Sequence, residues 1–248
     1  MNENAMMKKW MFAATVLVAS PAMADTFRIA YNEGGDAPFV MLDKRGPRGI
    51  FPDLMSAIVK LSGDKLEQRY LPMRRLLKSF EDGQLDMEVG ANPKWRSNSP
   101  MPGVYSIAFG LPRAVLCFRP GETPKAQAVT DFYGQKVGVI SGYSYPEFEA
   151  AFASGKIQRE DIFNSPNLLL TLRAKRFDQI IISNYVRQYW TKVDAQRYAC
   201  DEGRMIDESE MMLRVHPSKA DALPRLNAAI ATLKKSGELN AIFRRYTN

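Results

Sequence analysis

The chain has 248 residues, of which 46% are hydrophobic and 25% charged, with a formal net charge of +7. That apolar share is enough for packed cores, and the basic residues are interspersed with acids, singly or in pairs such as Arg74-Arg75, Lys234-Lys235 and Arg244-Arg245. Nucleic-acid binding needs basic residues gathered on one face and is not expected; the charge reads as solvated surface with a mild bias toward anionic ligands.

Lys8 and Lys9 precede an apolar run over residues 10–19, and Ala22-Met23-Ala24 supplies a small-x-small site before Asp25. This is the layout of a secretory signal peptide, with an apolar run too short to span a bilayer. Residues 1–24 are expected to be removed after Ala24, leaving an exported chain of about 224 residues, one large domain or two small lobes.

Residues 27–30 read as a first strand. A loop rich in glycine and acids follows over residues 31–38. Gly49 and Pro52-Asp53 open a helix whose apolar face is Leu54, Ile58 and Leu61 and whose C-cap is Gly63. A second strand over 66–71, a helix over 74–82 and a third strand over 85–89 complete a strand-helix-strand-helix-strand series, which implies a parallel sheet with helices on its faces. Residues 90–100, "GANPKWRSNSP", then place Trp95 and Arg96 side by side in a loop bounded by prolines. An extended apolar run over 105–118, broken by Gly110 and Pro112, ends in the polar "RPGETPKAQ".

The pattern restarts with a strand over 136–140. Ser144-Tyr145-Pro146-Glu147 fits a capping box with proline just inside the helix. Ser165-Pro166 opens another helix over 167–174, residues 177–183 form a buried strand, and Asn184 is placed to cap the helix "YVRQYWTKV". A strand over 211–215 and two helices, over 224–235 and 238–246, close the chain.

The reading is therefore an α/β chain of two αβ lobes. Residues 25–117 and 209–248 form the first, discontinuous lobe, and residues 118–208 form the inserted second lobe. Two crossings, near residues 117–120 and 207–211, make a two-strand hinge with a cleft where a ligand lies. Cys117 and Cys200 permit one disulfide in an oxidising compartment, although sequence alone leaves a bridge and two buried thiols equally open. Neither has metal-ligand spacing, and no metal or cofactor motif is present. His216, in the polar "VHPSKAD", reads as a surface histidine.

In order and spacing, Ala37-Pro38-Phe39, Gly49-Ile50-Phe51-Pro52-Asp53-Leu54, "RLLKSFEDGQLD" from Arg75, Gly134 through Val139, Gly142-Tyr143-Ser144, Arg176-Phe177-Asp178 and the closing "LNAAIATLKKSGELNAIFRRY" resemble the family 3 extracellular solute-binding proteins of the polar amino acid type. The resemblance runs over residues 26–246. It implies a type II periplasmic-binding-protein-like fold, a monomer in the periplasm, and delivery of ligand to the membrane subunits of an ABC importer. It also implies a role for Arg96, which stands where the family's arginine grips a ligand carboxylate. A guanidinium is always charged and offers a planar fork of donors suited to that task.

On the second lobe, Gly142, Tyr143 and Ser144 lie between a strand and a helix start, where free backbone N–H groups and the helix dipole favour an anion; helix capping by Ser144 is compatible with this. Tyr31, Phe39 and Tyr105 are the aromatics placed either to sandwich a ligand or to fill the core. Two departures stand out. Pro93 replaces the family threonine, losing a hydroxyl and a backbone donor. Neutral Ser183, followed by Asn184, stands where the family has a carboxylate for the ligand's amino group, and an ammonium without a counter-charge is costly in a dry cleft. Either Glu33 or Asp36 takes over that role, or the ligand has no α-amino group. Two other functions remain open on the same scaffold: a periplasmic dehydratase using Glu33 or Asp36 as acid or base, and a sensor for a membrane receptor.

Overall fold

The computed structural model describes residues 24–247 apart from Arg45. The export signal expected over residues 1–24 lies, but for Ala24, outside the described residues.

The first lobe begins with β1 (Thr26–Asn32), α1 (Ile50–Ser62), β2 (Lys65–Leu71), α2 (Met73–Glu81) and β3 (Met87–Ala91). β1 runs parallel to both β2 and β3. Alternate β1 residues point to opposite faces of the sheet. Phe27 and Ile29 join Ile50, Leu54 and Ile58 of α1 in one core, whereas Ala30 joins Leu76 and Phe80 of α2 in another. Gly63, left-handed at φ 78°, ends α1 as expected.

The chain continues through β4 (Val104–Tyr105), β5 (Arg113–Phe118), β6 (Lys136–Ile140), α3 (Pro146–Ala153), β7 (Gln158–Ile162), α4 (Ser165–Arg173), β8 (Gln179–Ser183), α5 (Asn184–Val193), α6 (Ala195–Tyr198) and β9 (Asp201–Glu208). It returns through β10 (Met212–Val215) to α7 (Leu223–Ser236) and α8 (Glu238–Thr247). The first sheet has the order β2-β1-β3-β10-β4 and the second β7-β6-β8-β5-β9. In the second, Ile181 faces Val137, Val139 and Phe148, while Ile180 and Ile182 face Leu168, Leu169 and Leu172 of α4. Both sheets are thus covered on two faces, giving an α/β molecule of two lobes.

Two segments pass between the sheets, residues 106–112 and 209–211. They run side by side, since Met211 N–H donates to Gly110 O at 2.8 Å and Phe109 N–H to Met211 O at 2.8 Å. The expected division after residue 117 falls inside β5, which pairs only with β8 and β9. The first crossing therefore precedes Arg113, at the Gly110–Pro112 break. Cys117 and Cys200 form a disulfide with a Cα–Cα distance of 5.8 Å. It ties β5 to the segment entering β9.

Two strands have no counterpart in the sequence reading, β7 ("QREDI") and β9 ("DEGRMIDE"). Both are edge strands, and edge strands carry charge to block pairing with other chains, so no apolar alternation marks them. The expected capping box at Ser144 does not form either. Tyr145 is the N-cap of α3 and makes no side-chain capping bond. The Glu149 carboxylate instead accepts from Tyr145 N–H at 2.8 Å and Ser144 Oγ at 3.3 Å, while Glu147 pairs with Arg204. Asn184 is the first residue of α5 rather than its cap, and its side chain accepts from Arg113 N–H at 3.0 Å.

Candidate functional site

A cavity of about 180 Å³ lies between the lobes, lined by residues of both, with Asp207 near the end of β9 and Met211 of the second crossing among them. One ordered water needs only ~10–15 Å³, so the space admits a small organic molecule. Of the residues singled out in the sequence, Tyr31, Phe39, Arg96, Tyr143, Ser144 and Ser183 line it. Glu33, Tyr105 and Gly142 do not. Glu33 is fixed by its backbone N–H to Leu71 O at 2.9 Å, and Tyr105 pairs with Arg214 at the edge of the first sheet. Gly142, at φ 82°, presses on the opposite lobe, where a Cβ would lie 3.0 Å from Met73 Cγ.

Arg96 closes a short 3-10 helix, Pro93–Arg96, whose start is capped by the Asn92 side chain accepting from Lys94 N–H. Its side chain is only 8% exposed and is not a free fork. Arg96 Nε donates to both carboxylate oxygens of Glu88, at 3.0 and 3.1 Å, Nη2 also donates to Glu88, and Nη1 donates to Trp95 O at 3.0 Å. Three of its five N–H groups are used, which leaves one on each terminal nitrogen.

Glu88 bridges onward to Arg214 Nη1 at 3.1 Å. Arg214 in turn donates to Ser99 Oγ, Met101 O and Pro102 O, and its guanidinium stacks 4.1 Å from the Phe80 ring centroid. Two guanidiniums against one carboxylate leave the cluster with one net positive charge. Burial raises the Glu88 carboxyl, but Arg96 and Arg214 outweigh it and hold the group below its ordinary range. Burial likewise works against charge on Arg96, and Glu88 outweighs it, so the Arg96 pKa lies above its usual value.

Glu88 was absent from the sequence reading, and the signal was present. A lone acid in the middle of a buried strand, "MEVGA", is costly unless a cation meets it.

Asp36, on the loop after β1, joins the lobes. Its Oδ2 accepts from Tyr143 Oη at 2.8 Å and its Oδ1 from Ser165 Oγ at 2.7 Å. Burial pushes its carboxyl up, partly offset by those two hydroxyls. Nearby, Arg74 of the first lobe reaches Ser141 at 3.3 Å and Asp161 at 3.1 Å on the second, and Phe39 meets Tyr185 edge-on at 5.8 Å. The two lobes are closed over the cavity. Trp95 packs against the core, lines the cavity, and donates from Nε1 to Asp207 Oδ2 at 3.0 Å. Tyr31 and Ser183 line the cavity with other atoms, while Tyr31 Oη and Ser183 Oγ are buried in the protein with no hydrogen-bond partner among the described residues. Among those residues no cluster suited to a metal ion is present.

No family model matches the chain. A probable histidine-binding protein of Neisseria gonorrhoeae is 25% identical, over 97% of this chain and 96% of that protein. Among solved structures, an ancestral arginine-binding protein bound to glutamine superposes with a TM-score of 0.72 at 21% identity, covering 90% of this chain and 98% of that one. A Salmonella typhimurium periplasmic binding protein of high arginine specificity gives 0.72 at 18%, covering 91% and 100%. The chain has the two-lobed, type II periplasmic-binding-protein fold, and the amino acid-binding proteins it is similar to fit the resemblance to the extracellular solute-binding proteins of family 3.

Proposed function

We propose that this protein captures a small carboxylate-bearing solute, an amino acid or a similar acid, between its lobes. In the periplasm it hands that solute to the membrane subunits of an ABC importer. The observation that carries the reading is Arg96: a buried guanidinium on the wall of the interlobe cavity, oriented by Glu88 and Trp95 O, with one N–H left on each terminal nitrogen. Held in place before ligand arrives, it loses little freedom on binding. The similar proteins, whose names describe amino acid binding, support the same role.

The role is binding rather than catalysis. Of the two acids a dehydratase would call on, Glu33 lies off the cavity wall and Asp36 has both oxygens held by hydroxyls.

The test is calorimetric titration with the twenty L-amino acids and a panel of simple carboxylates, using protein stripped of any co-purified ligand. Binding near micromolar, about −8 kcal/mol, is expected for at least one. The paired variant Arg96→Gln/Glu88→Gln keeps the net charge of the cluster and should weaken that ligand ~30-fold or more, as for a lost buried charge contact. If no acid binds, or the paired variant binds as well as the native protein, the reading falls.

A further inference from the structure

Four loops carry the lobes into contact beside the cavity, each leaving the end of a strand in a parallel pair. In the first lobe, residues 33–36 follow β1 and residues 72–74 follow β2. In the second, residues 141–143 follow β6 and residues 163–165 follow β7. The loops meet in two places, and both meetings are built alike. A glycine of one lobe lies against the other lobe, and a charged side chain bridges the gap beside it.

At the first meeting, Gly34 faces the segment before α4. A Cβ on Gly34 would lie 2.7 Å from Phe163 O, 3.4 Å from a Phe163 ring carbon and 3.5 Å from Asn164 Cβ. All three atoms belong to the opposite lobe, and the nearest is backbone, which cannot swing aside. Two residues on, Asp36 Oδ1 accepts from Ser165 Oγ at 2.7 Å.

At the second meeting, Gly142 faces the start of α2. Its Cβ would lie 3.0 Å from Met73 Cγ, 3.1 Å from Met73 Cβ and 3.4 Å from Arg74 N, again all in the opposite lobe. Arg74 bridges there to Ser141 and Asp161. Tyr143, next to Gly142, donates to Asp36 at 2.8 Å and so ties the two meetings together.

The two bridges differ in weight. Arg74 is exposed, and an exposed ion pair is screened and contributes little. Asp36 is buried, so its bonds are shielded from water. Those bonds weaken steeply with distance and misalignment. A methyl group on Gly34 would hold the lobes apart by several tenths of an ångström, and the Asp36–Ser165 bond would lengthen with them.

We propose that Gly34 and Gly142 are positioning residues for ligand capture. The missing side chain at each lets the lobes approach until Asp36 spans them, and so sets the affinity of the closed cleft. Neither glycine lines the cavity. The inference rests on the proposed binding role and adds to it the residues that decide how far the lobes close.

Gly34→Ala is the variant that tests this. Gly34 lies outside the left-handed region, whereas Gly142, at φ 82°, would be strained by any side chain in the open and closed forms alike. The variant is titrated with the twenty L-amino acids and the panel of simple carboxylates. The acid that binds native protein most tightly should bind Gly34→Ala about 5–150-fold more weakly, the range for an overpacked contact. Surface plasmon resonance should place that loss in the dissociation rate, with association within about threefold of native, because the open form that admits ligand is unchanged. Small-angle scattering of the variant saturated with that acid should stay more extended than that of saturated native protein. The melting temperature of ligand-stripped variant should stay within about 2 °C of native, which shows that it folds. Equal affinity in Gly34→Ala, or a loss accompanied by native-like scattering or by a lower melting temperature, would overturn the inference and leave carboxylate capture standing. If no acid of the panel binds native protein, both readings fall.

Discussion

Replacing Glu88 with glutamine is the sharpest perturbation of the site's electrostatics. The substitution keeps the size of the side chain and removes its charge. It leaves Arg96 and Arg214, with side chains 8% and 1% exposed, facing a neutral amide and each other. Breaking a buried ion pair by removing one partner costs about 3–5 kcal/mol, because the stranded charge has lost both water and counter-ion. Water cannot screen any member of the cluster, so no discount for exposure applies.

For a chain of this size a kcal/mol is worth about 2–4 °C in Tm, which puts the expected drop at about 6–20 °C. Differential scanning calorimetry at neutral pH reads it directly. The pH dependence supplies the sign. Glu88 titrates below its ordinary value of 4.5 in the folded protein, so its contribution is complete above that value and is lost as pH falls through the depressed folded value. The gap in Tm between native protein and Glu88→Gln should therefore narrow in acid. A variant within about 2 °C of native at neutral pH, or a gap that stays constant into strong acid, would refute the reasoning.

The interlobe latch makes a second expectation. Tyr143→Phe and Ser165→Ala each remove one hydroxyl from Asp36 and should weaken ligand affinity about 2–12-fold, the value of one hydrogen bond in the closed state only. Because burial raises the Asp36 carboxyl above 3.8 in the closed form, closure is favoured in acid and weakens as pH rises through that raised value; Asp36→Asn should flatten the dependence, as read by small-angle scattering with ligand present. The disulfide predicts something different. Cys117→Ser/Cys200→Ser opens an 83-residue separation, which loop-closure entropy values at about 4.5 kcal/mol. The double variant should melt lower yet bind ligand unchanged, since neither cysteine lines the cavity.

The fold was largely legible because apolar periodicity reports burial, and the strands and helices at the centre of each lobe are buried. β1, β3, β6 and β8 announce themselves through Phe27, Ile29, Val89, Val139 and Ile180–Ile182, and α1 ends on a glycine at φ 78°. Legibility fails at the sheet edges, where β7 and β9 are charged. It fails again at the first crossing, where one apolar run feeds two sheets and only Gly110 and Pro112 mark the passage.

The site was legible residue by residue but not in its pairings. Arg96, Tyr143 and Ser183 were named from motif position. That Glu88 would claim most of Arg96, that Asp36 would span the lobes, and that Trp95 would hold Asp207 are contacts between residues 8 to 112 positions apart. No local pattern encodes them; they follow from the order of the strands.

The central claim is that Arg96 holds a carboxylate inside the closed cleft. A crystal structure of the protein with its tightest-binding acid tests it most directly. The account predicts a carboxylate bridging the two terminal nitrogens of Arg96 at about 2.7–2.9 Å, with the Glu88 contacts intact. An acid bound with its carboxylate turned away from Arg96, or seated outside the interlobe cavity, would contradict it.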